Sequence, residues 1–241
     1  MKLKAVKKFL SEELFPQDFT CNLCHLEIFD GHFCADCLSQ LIRNDGYCCP
    51  VCGRRTSDNR TCVQCKAVPP EFVRAVSPFV YDGLVPNLVY GFKVDKPHLA
   101  GILAEYMAEK VRLLPRVDGL IFVPMTKREE ILRDYNQSCL LAQSLSKILK
   151  LPVIYGAITK VKRTSKQKLL TRAERKNNLE SCYKVNRDKV GGRTLLVVDD
   201  ILTTGATLDA ICGALKKAGA KAVYAATLAS VEYSVAPKSQ A

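Results

Sequence analysis

Nowhere does this 241-residue chain hold the roughly 18 consecutive apolar residues that a membrane-spanning helix needs. No glycine is followed by a lysine, so the G-x-x-x-x-G-K-[ST] phosphate loop is excluded, and with it the ATPase reading of any acidic strand end. The N-terminal stretch is broken by Lys7, Lys8, Glu12 and Glu13 and lacks the apolar core of a signal peptide. A cytoplasmic protein is the expectation. Carboxylates are scarce: 24 Asp and Glu stand against 36 Lys and Arg, a formal net charge of +12. The deficit is local. Between Ser146 and Lys189, thirteen Lys and Arg face only Glu174, Glu180 and Asp188. Such a segment suits a polyanion, either nucleic acid or a diphosphate, or else forms a solvated basic face. Aromatic platforms for stacking bases are few within it, Tyr155 and Tyr183 alone.

What the chain has in quantity is cysteine, and nine of its twelve fall between Cys21 and Cys65. They make four C-x-x-C knuckles: Cys21/Cys24, Cys34/Cys37, Cys49/Cys52 and Cys62/Cys65. The second pair of knuckles repeats the first at an offset of 28 residues, which selects Cys49 over Cys48 as the repeated position. C-x-x-C places two sulfurs on one metal, and two knuckles complete a tetrahedral Zn²⁺ site. Disulfides are the alternative, disfavoured in a cytoplasmic chain. Sequential pairing would give two zinc ribbons and alternating pairing a cross-braced unit; the duplication favours ribbons. All eight positions are thiolates, so the two zinc ions are expected to be structural, and a module this small depends on them to fold. Docking to protein or nucleic acid is its usual employment. With two Cys₄ sites at −2 each, the net charge falls to about +8. His25 and His32 flank knuckles and read as surface or neighbouring groups. Cys139, Cys182 and Cys212 read as small core residues.

The chemistry concentrates in Thr194–Asp209, T-L-L-V-V-D-D-I-L-T-T-G-A-T-L-D. Leu195–Val198 fits a buried parallel strand that ends in Asp199 and Asp200. Thr203, Thr204, Gly205, Ala206 and Thr207 follow, and then a helical pattern. Small residues leave N–H groups uncovered at a helix N-terminus, where the macrodipole also favours an anion. Gly205 offers a positive φ. Carboxylates ahead of a phosphate cradle serve sugar hydroxyls, a divalent cation, or both, and so suggest a phosphorylated sugar. The bland alternative is an acidic turn and a capped helix.

Elsewhere the periodicity predicts strands at Arg74–Tyr81, Gly119–Val123, Val153–Ile158, Tyr183–Val185 and Lys221–Ser230. It predicts helical runs over His98–Leu114 and over Glu130–Leu149. Alternating strands and helices imply an α/β fold with a mostly parallel sheet, which binds ligands at the carboxyl ends of its strands. The expected organisation is an amphipathic helix over 1–20, a double zinc ribbon over 21–68, a proline-stiffened link at Val68–Glu71, the α/β domain over 72–232 and a flexible tail over 233–241.

The Val197–Leu208 string closely resembles the phosphoribosyl-diphosphate (PRPP) signature of type I phosphoribosyltransferases. The order of parts resembles the ComF (competence protein F) family, which joins a double zinc ribbon to such a domain. The resemblance runs from Leu14-Phe15-Pro16 to about Ser230. It rests on Phe92-Lys93, Val123-Pro124, Arg133, Asn136-Gln137, Thr164, Gln167, Leu170, Arg175 and Asn178, together with that signature. One departure stands out: where the family usually has Arg-Gly-Phe-Asn-Gln, this chain reads Arg133-Asp134-Tyr135-Asn136-Gln137.

The resemblance implies that Thr203–Thr207 hold a 5′-phosphate and that Asp199 and Asp200 accept the ribose hydroxyls and help to place Mg²⁺. It puts pyrophosphate at the Pro124–Arg128 loop, with Lys127 and Arg128 as contacts, and makes Thr164–Arg175 a hood. It further implies that Asn136, Gln137 and Gln167 bind substrate and that a cation near the hood, Arg163, stabilises departing pyrophosphate. An amidotransferase of this type uses an N-terminal cysteine; this chain begins Met1-Lys2, so a glutamine-dependent reaction is not expected. Two classes of function follow: a phosphoribosyl transfer to an acceptor left open, or an accessory role in DNA uptake. The second implies single-stranded DNA and uptake-machinery proteins as partners.

Overall fold

The computed structural model describes residues 20–161 and 182–232. The chain divides into two compact units, Met1–Leu41 and Ile42–Ala241. That division falls inside the 21–68 span which the sequence groups as one module. The helix expected over 1–20, the hood and the 233–241 tail lie outside the described residues, apart from Thr20.

Within the first unit, Thr20 bridges Glu27 and the Cys21 N–H donates to the Leu26 carbonyl at 2.7 Å. Helix α1, Ala35–Ser39, is capped by Cys34, whose Sγ accepts from the Cys37 N–H at 3.4 Å. The same parts recur 28 residues later in the second unit: Cys48 bridges Arg55, and helix α2, Val63–Ala67, is capped by Cys62, whose Sγ accepts from the Cys65 N–H at 3.5 Å. Duplicated sequence has become duplicated structure.

The α/β domain is built on strands β1 (Leu41–Arg43), β2 (Ala75–Val76), β3 (Phe79–Gly83) and β4 (Gly119–Phe122), continued by a separate two-stranded ribbon, β5 (Ile158–Lys160) with β6 (Tyr183–Val185), and by β7 (Thr194–Leu202) and β8 (Ala222–Ser230). The main sheet has the order β1-β3-β8-β7-β4, with β2 also on β8. Both neighbours of β7 and both strands on the far side of β8 run parallel to them. Its helices are α3 (Val85–Val94), α4 (Ala100–Val111), α5 (Lys127–Arg133), α6 (Gln137–Leu149), α7 (Arg187–Val190) and α8 (Ala206–Lys217).

Leu195–Val198 is fully buried because both sheet faces are covered, which is why the run reads apolar without alternation. Leu195 and Val197 share a core with Leu208, Ile211, Cys212 and Leu215 of α8. Alternation turns Leu196 and Val198 to the opposite face. There α4 and α6 pack on each other and on the sheet through Leu103, Met107, Leu141 and Leu145, all buried. Cys49, Cys52, Cys65 and Phe72 join the core on the α8 side.

The segment expected to be a link is laid against the domain. Glu71 N–H donates to Asp209 Oδ1 at 2.5 Å, the Glu71 carboxylate pairs with Lys216 at 3.0 Å, and Val73 N–H donates to the Val223 carbonyl at 2.8 Å.

Several local expectations are corrected. The Val153–Ile158 strand reduces to a bridge from Val153 to Leu120, after which Gly156 at φ +66° turns the chain into β5. The helix expected over Glu130–Leu149 is two, because Asp134 leaves the right-handed region at φ +60° and Asn136 caps a new start by accepting from the Cys139 N–H. Strand β7 does not stop at Asp199 and Asp200; pairing with β8 continues through Ile201 and Leu202. Cys182 and Cys212 are buried as expected, whereas Cys139 is half-buried.

Candidate functional site

The carboxyl end of β7 delivers Asp199 and Asp200, both half-buried, ahead of the turn into α8. Gly205 forms the N-cap of that helix at φ +84°, the left-handed region that glycine enters without a Cβ penalty. Thr203 and Thr204 are exposed in the turn, and Thr204 Oγ1 accepts from the Ala206 N–H at 3.3 Å. The first N–H groups of α8 have no acceptor within the helix, and the macrodipole adds positive potential at the same point. The loop is a cradle for an anion, with carboxylates at its edge.

Those carboxylates are tied differently. Asp199 Oδ1 accepts from Ser138 Oγ at 2.9 Å. Asp200 Oδ2 pairs with Lys93 Nζ at 2.7 Å, and its Oδ1 accepts from the Ile201 N–H at 2.6 Å. Burial, and then the Asp200 charge beside it, push the Asp199 carboxyl up to about 7.

Lys93 is held in place by residues of the Asn136-Gln137 corner. Gln137, 1% exposed, donates from Nε2 to the Lys93 carbonyl at 3.0 Å, and Tyr135 donates from its hydroxyl to the Phe92 carbonyl at 2.5 Å. Asn136 Nδ2 donates to the Val123 carbonyl at 3.1 Å, fixing the start of the loop after β4. Both amides are buried and act on main chain. In that loop Thr126 and Glu129 form a capping box at the head of α5, and Glu129 pairs with Lys160 at 3.0 Å. Arg128 is exposed in the first turn of this helix. The Lys127 side chain, Arg163 and Gln167 lie outside the described residues.

The eight knuckle cysteines gather as two groups of four, Cys21/Cys24/Cys34/Cys37 and Cys49/Cys52/Cys62/Cys65, each with its sulfurs within 4.8 Å of one another. Pairing is therefore sequential, two ribbons and not a cross-brace. Sulfurs 2.3 Å from a tetrahedral zinc lie about 3.8 Å apart. Cys24 and Cys34 Sγ are 3.6 Å apart, and Cys52 and Cys62 Sγ 3.8 Å, so both groups fit the ion. Burial pushes the Cys49 thiol up, but the N–H groups of Cys62, Cys52 and Val51 outweigh it and bring its pKa to about 7. A thiol so placed yields its proton readily to a metal. With four thiolates per group, each group is closed to a fifth ligand. His25 is exposed and His32 half-buried; neither belongs to a group.

One contact joins a knuckle to the cradle. Arg54, 3% exposed and two residues beyond Cys52, donates from its guanidinium to the Thr203 carbonyl. Sequence reasoning missed Arg54 and Ser138 and gave Lys93 no role. Lys93 and Ser138 stand in or beside motifs that carried the family resemblance; nothing local marks Arg54.

Residues 136–240 match the phosphoribosyl transferase domain family. DNA utilization protein YhgH of Escherichia coli (strain K12) is 32% identical over 213 residues, covering 84% of this chain and 93% of that protein. Competence protein F of Haemophilus influenzae is 29% identical over 218 residues, covering 86% of this chain and 94% of that protein. The chain belongs to the ComF family. Its fold is accordingly a type I phosphoribosyltransferase-like, mostly parallel sheet flanked by helices, preceded by two Cys₄ groups. A purine phosphoribosyltransferase from Pyrococcus horikoshii Ot3 superposes with a TM-score of 0.32 at 20% identity, over 57% of this chain and 92% of its own. No helix among the described residues is long and apolar enough to cross a membrane.

Proposed function

We propose that the site binds PRPP with Mg²⁺ and that the protein serves DNA uptake and utilization in the cytoplasm. The observation that carries the ligand is the Asp199–Asp200 pair set against the Gly205-capped end of α8. Thr203–Thr207 would take the 5′-phosphate on N–H groups and hydroxyls. Asp199 and Asp200 would accept the ribose 2′- and 3′-hydroxyls. When bound, Mg²⁺ would be held chiefly by ligand oxygens and water, as it prefers, and would neutralise diphosphate charge. Lys93, which pairs with Asp200, is placed to turn to the diphosphate as the ligand enters. The names of the relatives, DNA utilization protein and competence protein, support the cellular role. The basic 146–189 segment is the candidate contact for single-stranded DNA, whose binding would weaken steeply with salt.

The intact carboxylate pair also favours a second reading, an active phosphoribosyltransferase that displaces pyrophosphate at ribose C1 through an oxocarbenium-like state. Thermal melting with and without PRPP and Mg²⁺ tests the ligand. A shift is expected for wild type and not for Asp199→Ala with Asp200→Ala, which should retain two zinc ions per chain. No shift in wild type would sink the assignment. Pyrophosphate release on adding a panel of bases and amines separates the enzyme from the accessory factor.

A further inference from the structure

The second Cys₄ group is not an appendage of the domain. Cys49 and Cys52 are each 1% exposed and lie in one core with Leu202 and Leu208, the residues on either side of the cradle. The knuckle turn they define is fastened on several sides. Cys49 N–H donates to the Arg54 carbonyl at 2.8 Å and Gly53 N–H to the Cys49 carbonyl at 2.9 Å. Ala75 N–H donates to the Val51 carbonyl at 2.8 Å. Asn44, 2% exposed, donates from Nδ2 to the Gly53 carbonyl at 2.8 Å and to the Ser77 carbonyl at 3.2 Å. Gly53 stands at φ +68°, and a Cβ there would collide with the Ala75 carbonyl. The turn is thus pressed against β2 with no room to shift, and the side chain it projects is Arg54.

We propose that Arg54 is a positioning residue that makes the anion cradle depend on the second metal group. The guanidinium fixes the Thr203 carbonyl. Among the described residues there is no cis peptide bond, so this carbonyl and the Thr204 N–H belong to one planar trans unit and point in opposite directions. Turning the carbonyl toward Arg54 turns the Thr204 N–H away from it, outward as a donor at the mouth of the cradle. A buried guanidinium loses much of its freedom before it makes this bond, and a charge-assisted hydrogen bond is among the stronger ones available. A metal bound by Cys49, Cys52, Cys62 and Cys65 would hold Cys49 and Cys52, and through them the turn that carries Arg54. Loss of that ion therefore releases the cradle.

The proposal rests on Thr203–Thr207 being the ligand cradle, and the test keeps the two apart. Arg54→Met removes the donors while keeping much of the stem; Arg60→Met, an exposed arginine of the same ribbon, is the control. Amide exchange is followed in ligand-free protein at Ala206 and Asp209, whose N–H groups donate to Thr204 Oγ1 and to the Gly205 carbonyl at the head of α8, with zinc content measured on each variant. Exchange there should speed about tenfold in Arg54→Met with two zinc ions retained, as expected for loss of a charged hydrogen bond, and stay unchanged in Arg60→Met. Arg54→Lys should recover part of the protection. PRPP affinity should fall in the same order. If wild type fails to bind PRPP, the functional reading fails while exchange still decides the proposal. If Arg54→Met does not retain its metal, wild-type protein titrated with chelator replaces it. Exchange at Ala206 and Asp209 must then rise as the second group empties. Unchanged exchange at both in either experiment overturns the proposal.

Discussion

At the scale of single residues, Asp199 and Asp134 show how position sets cost. Asp199 stands beside another carboxylate in a half-buried strand end, and its pKa is raised from the ordinary value near 4 to about 7. The folded state therefore holds a proton that the unfolded chain gives up. The stability this contributes is fully present below about pH 4 and is lost as pH rises through about 7. Asp199→Asn should be more stable than wild type at about pH 8, by about 1–2 kcal/mol, and gain little at about pH 5. Denaturant melts at the two pH values check this; an equal gain at both would remove Asp199 as the source. Asp134 stands where the family usually has glycine, and at φ +60° it keeps the backbone turn with a side chain that only tolerates it. Asp134→Gly should stabilise the protein by about 1 kcal/mol, read from the same melts. The residues of the site that the sequence reveals are those that act locally, the adjacent aspartates and Gly205. Ser138, Lys93 and Arg54 lie 61, 107 and 149 positions from their partners in the chain, and only the fold brings them there.

Among secondary-structure elements, legibility followed burial. Strands β4, β7 and β8 carry apolar runs because helices cover both of their faces, and each was visible in the sequence. Strands β4 and β8 were visible within a residue at their ends and β7 at its start, though it runs on past the aspartates to Leu202. Edge pieces were legible only in part: the Tyr183–Val185 strand stands as β6, whereas the chain around Val153 makes one bridge and β5 pairs with β6 alone. The split between α5 and α6 was hidden because apolar spacing continues across a break made by one left-handed residue. The same conformation, used at Gly205, starts α8. An added Cβ there would meet only Leu202 Cδ1 at 3.5 Å, so the penalty in Gly205→Ala is conformational and not steric. That variant should lose about 1 kcal/mol of stability by thermal melting. A larger loss would mean that the cradle backbone bears on the core.

For the molecule as a whole, the unit beginning at Ile42 takes in the second Cys₄ group together with the α/β domain, while the first group belongs to the unit that ends at Leu41. Spacing and duplication made the two groups look alike. Both hold buried cysteines, Cys21 and Cys37 in the first. What separates them is the core they enter, which spacing does not encode: Cys49, Cys52 and Cys65 join the large core of the domain and Phe72 follows them into it.

The Val68–Glu71 segment, whose prolines read as a spacer, has a practical consequence for anyone who dissects this protein. Cutting before Pro70 would strip the sheet of the turn beneath β2, leave apolar side chains of α8 bare to water, and free the Thr203 carbonyl. A fragment starting at Pro70 should come out insoluble or fluctuating, with slow, broad melting. One starting at Ile42 should melt cooperatively with one bound zinc. The natural seam of this molecule is a ribbon upstream of the place where its prolines advertise one.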